Sequence, residues 1–144
     1  LITDKEPKKV SLWARVAVMR IEDNVTSAHL AEIGRLMTDH FLEVRVDAAR
    51  ALGAIGPQAF PCVPDLIGAL RDESPDVQFW ACFALGAIGP KADKALNALE
   101  QLTSSEDKVV REAARKAMDS IGNKIQKISG AEEPMPAKKQ AGGR

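Results

Sequence analysis

Between Val44 and Ile55 the apolar positions 44, 48, 51, 52 and 55 fall on one stripe of an α-helix, occupied by Val, Ala, Ala, Leu and Ile. The stripe returns as Val77, Ala81, Ala84, Leu85 and Ile88, and again as Val110, Ala114, Ala117, Met118 and Ile121, each copy 33 residues after the last. Nine of the fourteen positions in VRVDAARALGAIGP (Val44 to Pro57) are identical in VQFWACFALGAIGP (Val77 to Pro90). A fixed period of this length predicts a solenoid, in which each unit is a helical hairpin that cannot bury its apolar face alone and stacks on its neighbours. The expected fold is all-α, a right-handed α-solenoid of about three and a half hairpins.

Each unit reads as an A helix, a short turn, a B helix and a Gly-Pro link. In the best-formed unit, helix A is expected from Phe60 to Arg71, with Pro61 and Pro64 in a first turn where a missing N–H costs little. The turn Asp72-Glu73-Ser74-Pro75 leads into helix B, Asp76 to Ile88. Gly89 supplies the positive φ that ends the helix and Pro90 forbids its continuation. The preceding unit places helix A at Ala28 to Thr38, behind Thr26-Ser27 as N-cap candidates, and helix B at Leu42 to Ile55. The following unit places them at Ala92 to Thr103 and Asp107 to Ile121, with Gly122-Asn123 as the stop. Val10 to Ile21 aligns on Val44 to Ile55 as a lone B helix. The organisation expected is a half repeat at 4–23, repeats at 26–57, 59–90 and 92–122, and a flexible tail at 123–144, in which Lys124 to Ile128 could add a helical turn. Starting partway through a repeat at Leu1, the chain reads as a fragment or C-terminal domain of a longer protein.

The opposite face of the B helices carries more functional information. It holds Leu12, Val16, Val46, Phe79, Cys82 and Phe83, where the third unit has Glu112, Arg115 and Lys116. Trp13 and Trp80 occupy equivalent flank positions. Apolar residues lined up on successive B helices point to a contact patch, or to filling between neighbouring B helices. The patch reading takes Trp13, Val46, Phe79, Trp80 and Phe83 as anchors, rimmed by Arg15, Arg50 and Arg115, since protein interfaces favour aromatic and arginine anchors. The expected partner is a protein, in trans or as a preceding domain in cis.

Composition narrows the classes. Aromatics make up 4% of the 144 residues and tyrosine is absent, so the core is built from Ala, Leu, Ile and Val. Zero formal net charge counts against nucleic acid or an anionic membrane as partner. No apolar run approaches the roughly 18–20 residues that span a bilayer. The default is a soluble, cytoplasmic protein, with prior removal of an N-terminal signal left open. Cys62 and Cys82 make neither a disulfide framework nor a zinc site.

The repeated residues resemble HEAT repeats, and more narrowly the short bacterial type known as PBS-lyase HEAT-like repeats. The resembling pattern is an acidic turn residue, Val-Arg at the start of helix B, then Ala-x-x-Ala-Leu-Gly-x-Ile-Gly. Here it is Asp39 with Val44-Arg45, Ala48, Ala51-Leu52-Gly53 and Ile55-Gly56, and again Asp72 with Val77, Ala81, Ala84-Leu85-Gly86 and Ile88-Gly89. The resemblance implies a protein-binding scaffold, often a domain attached to a larger protein. It also implies a ladder of turn aspartates and helix-B arginines between neighbouring repeats, for which Asp39, Asp72, Arg45 and Arg111 hold the matching positions. Gln78 and Ser105 depart from it, so the ladder should be incomplete.

Some proteins of this type are enzymes, each with its own residue requirements. Di-iron hydroxylases on this fold use His-Glu pairs, whereas His29 and His40 precede no Glu and read as ordinary surface residues. DNA glycosylases need a basic groove; Trp13, Asp47 and Trp80 share one B-helix position, but the net charge is wrong. A bilin lyase would need a tetrapyrrole pocket that no residue identifies. The GAIG segments at 53–56 and 86–89 end helices, whereas a phosphate loop opens one. Cys82 has no nearby histidine, and apolar surroundings would raise its pKa. The expectation is no catalytic residue, metal or cofactor. Two alternatives stay open: an accessory or lyase-type domain holding a small ligand or modified base near Trp80, and a purely structural spacer.

Overall fold

A computed structural model describes residues 24–129 together with Leu12 and Val16, with side chains as far as Gly122. Six α-helices follow in order: α1 Ser27–Leu36, α2 Leu42–Ile55, α3 Val63–Ala69, α4 Pro75–Ile88, α5 Leu96–Leu102 and α6 Lys108–Ser129. Helices α1, α3 and α5 are the A helices of three hairpins, and α2, α4 and α6 are their B helices. Each A helix packs on its own B helix, while B helices pack directly on one another, α2 on α4 and α4 on α6. The A layer is joined by 3-10 segments, Gly56–Cys62 and Gly89–Ala95. The half repeat at 4–23, apart from Leu12 and Val16, and the tail beyond Ser129 lie outside the described residues.

The stripes that predict the B helices form the core. Val44, Ala48, Ala51 and Leu52, then Val77, Ala81, Ala84, Leu85 and Ile88, then Val110, Ala114, Ala117 and Ile121 are all buried. Small residues dominate where helices meet, so the axes approach closely and a larger side chain would overpack by roughly 1–3 kcal/mol.

Helix starts follow a repeated local chemistry. Asp39 Oδ1 accepts from Phe41 N at 2.9 Å, Asp72 Oδ1 from Ser74 N at 2.9 Å, and Ser105 Oγ from Asp107 N at 3.1 Å. These three pairs are spaced by the repeat, and each satisfies an amide that the following helix leaves without a partner. Thr26 caps α1, its Oγ1 accepting from His29 N while His29 Nδ1 accepts from Thr26 N. His29 is thus the reciprocal half of a capping box.

Two helix ends obey the Gly-Pro rule and one does not. Gly56 and Gly89 have φ of 80° and 82°, a region costly for any residue with a Cβ, and Pro57 and Pro90 follow. Gly122 was the expected stop of the third B helix, but α6 runs through it to Ser129. Glycine tolerates helical φ as readily as positive φ, and Asn123 does not forbid continuation as proline does.

The A helices also start later than expected. In place of helices from Phe60 and from Ala92, 3-10 turns run to Cys62 and Ala95 before α3 and α5 begin. The switch falls at the same register in both units, although only the first has a proline at the position of Pro61. Its cause therefore lies in what the units share: the Gly-Pro link and the buried small residues Ala59 and Cys62, matched by Ala92 and Ala95.

Candidate functional site

Across the junction of α2 and α4, the outward B-helix residues pack into one cluster. The Trp80 ring meets Phe79 edge-on at 5.0 Å and Phe83 at 5.4 Å between centroids. From α2, the Arg50 guanidinium lies 5.0 Å from the Trp80 ring centre, a cation–π contact, and its Nη1 is 3.5 Å from Asp47 Oδ1. Asp47 is buried. Its pairing with Arg50 gives this carboxylate a structural role. Phe83 leans over Gly53 so closely that a Cβ there would lie 2.7 Å from the ring. Leu12, Val16, Ala49 and Cys82 are buried, Val46, Phe79 and Trp80 are half-buried, and Phe83 is 50% exposed.

The equivalent space between α4 and α6 is open. A groove of about 510 Å³ runs along this junction, with Phe79 and Phe83 on one wall and Val109, Glu112 and Lys116 on the other. Cys82, Gly86, Ala113 and Ala117 line it as well. Val109 is 58% exposed and, with Phe83, is among the most exposed large apolar residues described. Sequence reasoning named Phe79, Cys82 and Phe83 and placed Glu112 and Lys116 on the same face, but missed Val109 and Ala113. Setting α4 and α6 in register would have exposed them, because Trp80 aligns with Ala113 and Phe83 with Lys116.

Arg115 is exposed but is not among the lining residues. It aligns with buried Cys82, so its side chain leaves α6 on the side that faces away from α4. Trp13 and Arg15 lie outside the described residues.

Along the turn edge, Arg45 Nε donates to Asp72 Oδ2 at 2.8 Å across the first junction, and its Nη1 donates to the carbonyls of Asp39 and His40. Arg111 repeats the second arrangement on the carbonyls of Ser105 and Glu106, at 2.7 and 3.1 Å. Gln78, shorter and uncharged, donates instead to the Leu70 carbonyl within its own hairpin. Asp39 is engaged locally, accepting from Phe41 N.

Chemistry elsewhere is quiet. Among the described residues no group of three His, Cys, Asp or Glu is placed to hold a metal ion, and no helix is long and apolar enough to cross a membrane. Both cysteines are buried free thiols. Burial pushes Cys82 up to about 12. Burial, then the charge of Asp65, pushes Cys62 up to about 11, and its Sγ lies 3.3 Å from the Leu30 carbonyl. Thiols in that range are not nucleophiles near neutral pH.

Stacked hairpins with matching B helices and Gly-Pro links define an α-solenoid built from a short repeat. The sequence profile of HEAT repeats matches residues 30–119, and the chain belongs to that family. Among solved structures it is similar to the crystal structure of an engineered protein, a target of the Northeast Structural Genomics Consortium, with 28% identity and a TM-score of 0.68 over 84% of this chain. The chain spans 58% of that protein's length. No curated protein matches it.

Proposed function

We propose that the chain is a non-enzymatic scaffold that holds another protein along its B-helix face. The observation that carries this reading is the open apolar groove between α4 and α6, where Phe83 and Val109 stand exposed beside half-buried Phe79. A free surface has no need of exposed phenylalanine and valine together, whereas protein contacts are built around such groups. The repeat extends the face along the array, the usual form of a solenoid binding surface. The partner is another protein in trans or a domain of the same polypeptide in cis.

A small ligand stacked on Trp80 is less well supported, since Arg50 already lies over that ring and Phe79 and Phe83 meet its edges. Crosslinking capture from the native source, comparing the wild-type chain with a Phe83→Glu, Val109→Glu variant, tests the scaffold reading. Both side chains are exposed, so the variant should keep its circular dichroism. Loss of a specific captured protein supports the reading. Capture unchanged by the substitutions removes the groove from it.

A further inference from the structure

The repeat itself indicates what the open groove is shaped to receive. At the first junction the space between two B helices is filled from within the chain. Trp80 lies beneath Arg50, and Phe83 covers Gly53. At the second junction the backbone arrangement repeats. Gly86 stands where Gly53 stood, with Ala117 Cα 3.3 Å from where its Cβ would be. The two rings, however, are replaced by Ala113 and Lys116. The groove of about 510 Å³ is the space those rings occupy one repeat earlier. Its floor is small and buried (Cys82, Ala117), and its α4 wall is aromatic where α2 at the filled junction presents Val46 and Arg50.

We infer that this groove is an anchor pocket for an aromatic side chain of a partner polypeptide, which supplies in trans what Trp80 supplies in cis one repeat earlier. The inference rests on the scaffold reading and deepens it, by assigning the site and the chemistry of the anchor. Phe79 and Phe83 offer ring edges and faces to an incoming aromatic ring, the arrangement they already make with Trp80 and one that aromatic pairs favour. Glu112 and Lys116 bracket the opening with opposite charges and form no ion pair among the described residues. Paired signs suit a peptide carrying both charges around its aromatic residue, and suit a uniformly anionic nucleic acid poorly.

The test fills the pocket with the side chains that the preceding repeat carries. A displayed library of random 12-residue peptides is panned against the native chain, and the selected peptides are titrated against native protein and the Ala113→Trp, Lys116→Phe variant. That variant copies α4 and should fold, as circular dichroism will check. The expected result is a selected set dominated by Trp or Phe, with affinity at least tenfold weaker for the filled variant. On the native chain, the methyl resonances of Val109 and Ala113 should shift when peptide is added, a readout that holds even if the variant does not fold.

Peptides that lack an aromatic residue, bind the filled variant equally well, or leave those methyls unmoved would overturn the anchor pocket while leaving the scaffold reading intact. Failure to select any peptide would count against both. Free indole should compete with the selected peptides for the groove, and indole that binds there without displacing them would overturn the inference.

Discussion

Arg45 and Asp72 are joined across the first repeat junction by a charge-assisted bond of 2.8 Å, with side chains only 16% and 12% exposed. Their counterparts at the second junction, Gln78 and Ser105, make no such tie: each is bonded within its own hairpin. The second junction thus lacks this polar tie as well as the ring filling that Trp80 and Phe83 give the first. Arg45→Met should lower stability by about 2 kcal/mol, the usual worth of a hydrogen bond to a charged group. Gln78→Arg with Ser105→Asp should raise it by about 1 kcal/mol, and urea unfolding curves measure both. Amide exchange should slow in α5 and α6 of the gain-of-tie variant. Equal stability of all three proteins would show that the tie contributes nothing.

The glycines at the ends of B helices look alike in sequence and differ in the fold. Gly89→Ala places a Cβ at φ of 82° and should cost roughly 1–3 kcal/mol. Gly122→Ala lies within α6 with nothing near its new Cβ. It should stabilise by about 0.5–1 kcal/mol through helix propensity. Thermal melts of the two variants should therefore move in opposite directions. A downward shift for Gly122→Ala would mean that α6 ends where the repeat pattern placed its stop.

The repeat made the B helices legible, because one face must be apolar at every copy and the alanines recur where helices touch. Position 122 was misread for a physical reason: the Gly-Pro pair enforces the stop, and the third copy keeps only the glycine. The 3-10 turns at Gly56–Cys62 and Gly89–Ala95 were not legible, since residues such as Ala59 and Ala92 suit an α-helix equally well and tertiary packing decides. The candidate site was half legible. Phe79 and Phe83 stand out as apolar residues on a face that is polar in the third unit. Val109 and Ala113 matter only through what the neighbouring helix leaves uncovered.

Cysteine ionisation should appear in the pH dependence of stability. Below the ordinary thiol value of 9.0 both the folded and the unfolded chain hold the proton, and nothing changes. As pH rises from 9.0 toward about 12 for Cys82, the unfolded chain loses the proton while the folded chain keeps it. The unfolded state then binds fewer protons, so stability falls with rising pH. Cys62 acts in the same direction up to about 11. Denaturant midpoints between pH 8.5 and 10.5 should decline less steeply for Cys82→Ala than for wild type. Identical slopes would show that the thiol does not contribute.

The most direct test of the account is an amide hydrogen-exchange footprint of the chain with its captured partner bound. The account predicts new protection in α4 and α6, over the segments that carry Phe79 to Ala87 and Val109 to Ser120, with α1, α3 and α5 unchanged. Protection confined to the A helices, with the groove segments exchanging as in the free chain, would contradict it.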